Sequence, residues 1–323
     1  MKRFIYILLL IIQSLTLYAQ QLPVFSQYTM NKYLYNPAVA GSDGYTSIFL
    51  SSRYQWVGID KAPQTYNLSI QTRLLKRARS VVKKTDGDNT AVAPRYGRVG
   101  IGGYIYSDRY GSIETTSAQF TYAYHIFIKS TQLSFGLSGG IIQMKIDLTD
   151  LTFRSPEPLL NSDYRRALFI PDASFGVHIL NKSYFVGISA AQLVQSAFKI
   201  GTEDLPNFSL VRNYYLMAGY RFYLSNGYEL EPSFLLKTSE LNMSQLDITL
   251  KIYSMGLWWA GLAYRTGSAL SFQIGAKVQK LYFGYAYDYS LSNLQNYTFG
   301  THELILALKF GDSSRRYRWL DRY

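Results

Sequence analysis

Apolar and polar residues alternate along much of this chain with a period of two, which places successive side chains on opposite faces of a β-strand. In 245–253, Leu246, Ile248, Leu250 and Ile252 share one face, while Gln245, Asp247, Thr249 and Lys251 share the other. Tyr66, Leu68 and Ile70 likewise oppose Thr65, Asn67, Ser69, Gln71 and Arg73. Phe120, Tyr122 and Tyr124 oppose Gln119, Thr121 and His125, and Leu270, Phe272, Ile274 and Ala276 oppose Ser271, Gln273 and Lys277. Leu304, Leu306 and Leu308 oppose Glu303 and Lys309. Fourteen such segments begin near residues 45, 64, 97, 113, 131, 173, 183, 212, 228, 245, 257, 269, 281 and 302. The pattern predicts an all-β chain, a transmembrane outer-membrane β-barrel of about 14 antiparallel strands over 45–310, the even number leaving both termini in the periplasm.

Alternation would also suit a soluble sandwich, so the position of the charges carries the distinction. A Lys or Arg facing lipid at mid-membrane costs roughly 2–4 kcal/mol. Arg73, Arg221, Lys237, Asp247, Lys251, Lys277, Glu303 and Lys309 all fall on the polar face. Gly100, Gly102, Gly136, Gly187, Gly219, Gly261, Gly275 and Gly284 share it, as a crowded lumen requires. Composition agrees: 30 Tyr and 18 Phe suit interfacial girdles, and 17% charged residues is low for a water-soluble domain. After the first 19 residues nothing reaches the roughly 20 apolar residues of a membrane helix.

That leading stretch, with Lys2, Arg3 and the apolar run Phe4 to Ile12, is expected to be a secretory signal peptide, 1–19, cleaved near Ala19. A net charge of +12 on an exported chain points to outer-membrane lipid headgroups or acidic protein surfaces, with no nucleic-acid partner. Short connections near 128–131, 181–182, 224–227, 253–256 and 279–280 are expected on the periplasmic side. Long ones near 147–171, 195–211 and 290–301 are expected at the cell surface. Residues 74–96 break this rule as a long basic periplasmic loop, whose Lys76, Arg77, Arg79, Lys83 and Lys84 form either a docking element or a solvated loop. A basic tail, 311–323, follows the last strand.

Residues 20–44 show no alternation, yet hold Phe25, Tyr28, Met30, Tyr33, Leu34 and Tyr35 beside Gln27, Asn31 and the Asn36-Pro37 turn signal. So aromatic a segment is expected to be buried, as an irregular plug or brace in the lumen. The stretch Trp56 to Gln64, with turn formers Gly58, Asp60 and Pro63, either grips that segment or a partner, or folds the first hairpin inward. Catalytic chemistry is thin. There is no cysteine, and His125, His178 and His302 have no metal spacing. His125 and His178 are expected as hydrogen-bonded lumen residues. No GxSxG elbow is present, and Gly97 to Gly103 lacks the GK[ST] ending of a phosphate loop. No enzyme activity and no cofactor are expected.

QLPVFSQYTMNKYLYNPAVAGSDG, SSRYQWVGIDKAPQTYNLSIQT and FGYAYDYSLSNLQNYTFGTHELILAL resemble the signatures of the PorP/SprF family of Bacteroidetes outer-membrane proteins, from the type IX secretion and gliding machinery. The matching positions include Phe25, Ser26, Gln27, Tyr28, Asn31, Asn36, Pro37, Gly41, Arg53, Gln55, Trp56, Gly58, Ala62, Pro63, Gln64, Thr65, Asp288, Gly300, His302 and Glu303. The resemblance implies an integral outer-membrane barrel that works with type IX secretion components to export or anchor a surface cargo protein, such as an adhesin, bearing a C-terminal sorting domain. Phe25, Gln27, Tyr28, Asn31, Asn36, Pro37, Arg53, Gln55, Trp56, Gly58, Pro63 and Gln64 are then the candidates for binding a partner or the plug. The alternative is an outer-membrane porin, or a transporter for hydrophobic substrates resembling fatty-acid channels.

Overall fold

Strands whose two faces differ this sharply close into a ring, and here 14 of them do. They are β1 (Thr46–Tyr54), β2 (Gln64–Leu74), β3 (Val99–Tyr110), β4 (Ile113–Ile128), β5 (Thr131–Ile146), β6 (Leu168–Leu180) and β7 (Tyr184–Ala191). There follow β8 (Asn213–Tyr220), β9 (Tyr228–Ser239), β10 (Ser244–Ser254), β11 (Trp258–Arg265), β12 (Ala269–Val278), β13 (Leu281–Ser290) and β14 (Thr301–Phe310). The computed structural model describes residues 25–74, 98–146, 168–194, 197–198, 208–241, 244–254 and 256–311. Each strand pairs antiparallel with the next, and β14 returns to pair with β1, placing Arg53 opposite Glu303 across the closing seam. Beyond β8, Phe222–Tyr223 continues the same wall against β9. The interruption coincides with Pro232 of β9, which has no N–H for the ladder.

The short turns at 129–130, 181–183 and 279–280 lie at one end of the barrel, together with the long β2–β3 connection; the β1–β2, β5–β6, β7–β8 and β13–β14 connections lie at the other, the long-loop end, beside the short turns at 111–112, 240–243 and 266–268. The largest departure from the sequence reading is β6, which begins at Leu168 rather than near 173. There Phe169 and Pro171 point outward and Ile170 and Asp172 inward, so an outward proline and an inward isoleucine blur the alternation. The signal peptide, the basic loop with Lys76, Arg77, Arg79, Lys83 and Lys84, residues 147–167 and the tail beyond Gly311 lie outside the described residues.

The faces are inverted relative to a water-soluble protein. Leu50, Leu68, Ile70, Phe120, Leu137, Ile188, Ile248 and Ile274 are exposed, whereas Ser51, Thr65, Asn67, Ser69, Thr121, Ser138 and Thr249 are buried. A soluble monomer rarely leaves so wide an apolar band in water, but hydrocarbon accepts one. Among the described strand residues, charges on the outer face sit next to strand ends, at Arg109, Glu114 and Lys145. Trp258 faces outward and Trp259 is buried inside. Leu68→Arg is therefore expected to destabilise the barrel by roughly 2–4 kcal/mol, while Leu68→Phe stays near neutral. Unfolding midpoints in lipid vesicles, followed by the gel mobility of unheated samples, read the difference.

The apolar core sits within the lumen, in clusters that mix the wall with residues 25–45. Tyr28 and Tyr35 pack with Leu180, Phe185, Tyr215, Met217 and Leu235, while Tyr33, Val39 and Ala40 pack with Ala123. Met30 adds to Phe49, Ile305 and Ala307.

Candidate functional site

Residues 25–45 cross the barrel interior as tight turns and two short 3-10 helices, Lys32–Leu34 and Pro37–Val39. Pro37 suits the first helical position, and the Asn36 side chain caps the turn by accepting the Ala38 N–H at 2.9 Å. Gly41, at φ +67°, turns the chain toward β1; a Cβ there would lie 2.6 Å from the Thr72 carbonyl oxygen.

The wall is cut to receive this backbone. A Cβ on Gly136 would fall on the Pro37–Ala38 peptide, one on Gly100 on the Ala40 carbonyl, and one on Gly176 on Asn36 Oδ1. A Cβ on Gly284 would strike Gln27 Oε1, and on Gly102 the Tyr33 ring. Polar contacts complete the seat. Asn36 Nδ2 donates to the Val177 and Ile188 carbonyls at 2.9 and 3.2 Å, and Asn31 Nδ2 donates to Ser69 Oγ at 2.9 Å. The hydroxyls of Tyr28 and Tyr33 donate to Ser233 and Thr121 at 3.0 and 2.7 Å.

Toward the long-loop end, Ser26 is held at every polar atom. Its N–H donates to Glu303 Oε2 at 2.6 Å, and the next N–H, of Gln27, donates to Oε1 of the same carboxylate at 3.0 Å. Its hydroxyl donates to Asp288 Oδ2 at 2.6 Å, and its carbonyl accepts from Gln273 Nε2 at 2.9 Å. Arg53 ties the group together, donating from Nη1 to Ser26 Oγ at 2.8 Å and Glu303 Oε2 at 2.9 Å, and from Nη2 to Asp288 Oδ2 at 2.8 Å. Arg265, bound to both oxygens of Asp247, adds a second cation 3.6 Å from Asp288. Buried charges are tolerable when paired and hydrogen-bonded to this degree.

At the short-turn end a second cage closes on residues 40–43. Arg73 Nη2 and Gln132 Nε2 donate to the Ser42 carbonyl at 2.7 and 3.1 Å, and Lys309 lies 3.3 Å from Asp43. His125 Nε2 lies 3.0 Å from the Ala40 carbonyl and its Nδ1 2.8 Å from Ser134 Oγ. His178 departs from the hydrogen-bonded lumen histidine expected of it. Neither ring nitrogen has a hydrogen-bond partner among the described residues; the Phe185 ring lies 6.4 Å away, and the ring carbon Cδ2 faces Gly187.

The residues singled out in the sequence thus fall into two places. Phe25, Gln27, Tyr28, Asn31, Asn36, Pro37 and Arg53 meet in the lumen, where the Phe25 N–H donates to the Tyr35 hydroxyl at 2.8 Å. Gln55, Trp56, Gly58, Pro63 and Gln64 lie at the long-loop end in and beside the β1–β2 loop. That loop pairs with the β13–β14 connection. The Val57 N–H donates to the Gly300 carbonyl at 2.9 Å, the Phe299 N–H to the Val57 carbonyl at 2.7 Å, and a Cβ on Gly58 would lie 3.0 Å from the Phe299 ring. Replacing Gly58 by valine is expected to part these two loops, raising protease cleavage near Tyr297 while the barrel stays folded. The sequence reading does not single out Asp247, Arg265 or Gln273 as site residues; inward parity with opposite charge on neighbouring strands is a usable signal for Asp247 and Arg265, whereas the neutral Gln273 carries none.

The family model for the type IX secretion system membrane protein PorP/SprF matches residues 17–308. The chain belongs to the PorP/SprF family. Its wall and the paired loops therefore belong to an outer-membrane barrel of that secretion system's membrane family. No curated protein sequence matches this PorP/SprF member. Among solved structures it is similar to the toluene transporter TbuX of Ralstonia pickettii, at 9% identity over 88% of this chain and 93% of that one, with a TM-score of 0.48. It is also similar to the Acinetobacter baumannii outer membrane protein Omp33, at 6% identity over 83% and 99% of the two chains, with a TM-score of 0.43. At such values neither likeness says anything about what this PorP/SprF member binds.

Proposed function

We propose that the protein is a non-enzymatic docking partner in the outer membrane, which helps type IX secretion components export or anchor a surface cargo protein bearing a C-terminal sorting domain. The observation that carries this reading is the filled lumen. Residues 25–45 are seated against wall glycines and held by Arg53, Asp288 and Glu303, leaving a rigid scaffold in place of an open channel. A porin or a hydrophobic-substrate transporter needs a continuous passage, and this segment stands in its way. The paired 55–63 and 291–300 loops offer exposed Tyr297 and Phe299 at the long-loop end, and such aromatics suit protein contact. The basic loop with Lys76, Arg77, Arg79, Lys83 and Lys84 is the proposed contact with periplasmic components.

Affinity purification of the intact barrel from its own host, followed by identification of bound chains, is expected to recover secretion components and a sorting-domain protein. Recovery of neither, together with steady single-channel conductance of the purified barrel in planar bilayers, would replace this reading with a transporter.

A further inference from the structure

A small pocket opens beside the inner segment in the long-loop half of the barrel, with a cavity volume of about 50 Å³. Tyr104, Tyr106 and Tyr215 of the wall and Tyr35 of the segment line it, together with Asp172 and Asn67. The Tyr35 and Tyr215 rings meet edge to face at 5.5 Å, and Tyr104 and Tyr106 stack at 6.2 Å.

Asp172 differs from the other buried carboxylates. Asp43, Glu231, Asp247, Asp288 and Glu303 each lie no more than 3.3 Å from a guanidinium or ammonium nitrogen. Asp172, only 5% exposed, has no such cation among the described residues. Its Oδ2 accepts from Gln119 Nε2 at 2.7 Å, and the Ala173 and Gln192 N–H groups lie beside the carboxylate, but among the described residues Oδ1 meets no donor in hydrogen-bonding geometry, and neither does Oδ1 of Asn67, which is 2% exposed. Two unpartnered acceptors, one on a carboxylate, inside an aromatic enclosure, ask for a donor that carries positive charge. Tyrosine faces attract such a group, and desolvation strengthens both attractions. Leaving a buried carboxylate unpaired is otherwise costly.

We propose that this pocket receives a lysine or arginine side chain presented by a partner polypeptide at the long-loop face of the barrel, with Asp172 and Asn67 accepting its N–H groups and the tyrosines enclosing its stem. This rests on the reading of the barrel as a docking partner and names the chemistry of one contact.

The test titrates the full-length barrel in detergent with acetyl-Gly-Lys-Gly-amide, acetyl-Gly-Arg-Gly-amide and the neutral acetyl-Gly-Gln-Gly-amide by calorimetry. The two cationic peptides are expected to bind at least about ten-fold more tightly than the neutral one. Asp172→Asn is expected to remove that preference, with folding checked by the mobility of unheated samples. Asn67→Leu is expected to weaken the cationic peptides alone, and serves if Asp172→Asn fails to fold. Equal affinity for all three peptides, no binding at all, or wild-type binding by both variants would overturn the proposal. So would binding that emerges only in Arg165→Gln/Arg166→Gln, since the chain's own loop would then be the occupant. The docking reading fails separately: it falls if no secretion component or cargo co-purifies, even where the peptides bind as expected.

Discussion

Glu303→Ala is expected to destabilise the barrel by about 3–5 kcal/mol, the range for breaking a buried ion pair by removing one partner. The loss is compound. Arg53 keeps Asp288 but loses its partner across the seam, and the N–H groups of Ser26 and Gln27 lose their acceptor in a water-poor interior. Each orphaned donor adds about 1–3 kcal/mol if nothing replaces it. Glu303→Gln keeps the shape and one acceptor oxygen, so it should fall between the alanine variant and wild type. Because Arg53 and Glu303 act on each other, the double alanine variant should cost less than the sum of the single ones. Thermal midpoints in detergent, read from heat-dependent gel mobility, check the series. A Glu303→Ala midpoint matching wild type would mean that the Ser26 contacts contribute nothing to the fold.

Gly136→Val is expected to displace the inner segment and open a conducting path. Its first carbon would occupy the Pro37–Ala38 peptide, a backbone that cannot step aside as a flexible side chain can. Overpacking typically costs about 1–3 kcal/mol, and the barrel wall, tied by its ladder, is the stiffer partner. Gly139→Val supplies the control, since Gly139 is in the same strand and its Cβ would meet nothing within 4 Å. In planar bilayers the wild type and Gly139→Val should conduct weakly, while Gly136→Val shows discrete openings. Trypsin should also reach Lys32 in Gly136→Val alone, because that lysine is buried against the Phe185 ring in the native barrel. Identical traces from all three proteins would count against a lumen closed by residues 25–45.

The barrel was legible because lipid on one side and a polar lumen on the other impose a strict rule of parity on every strand. Leu246 to Ile252 and Tyr66 to Ile70 obey it, and so their strands were placed within a residue of where they lie. Leu168 to Asp172 disobey it locally, and the start of β6 was missed by five residues for that reason. Partnerships across the barrel were less legible. That Ser26 meets Asp288 and Glu303 depends on how far each strand slides along its neighbours and on where a non-repeating segment bends, and neither leaves a periodic trace. The 55–63 loop illustrates the same gap. Its Trp56 and Gly58 stood out by residue type, but its bonding to Gly300 and Thr301 depends on the ring being closed.

The pairing of Arg53 with Glu303 has a kinetic side. Those residues stand 250 positions apart in sequence, so the strands bearing them must find each other late, against the largest chain entropy the molecule faces. Ser26 touches both of their side chains and lies only 20 residues ahead of β1, so it travels with one half of the join. Zipping the cylinder shut and loading its contents become a single cooperative event. A nascent chain lacking Ser26 and Gln27 would linger as an unsealed sheet, exposed to periplasmic proteases for longer than the intact one.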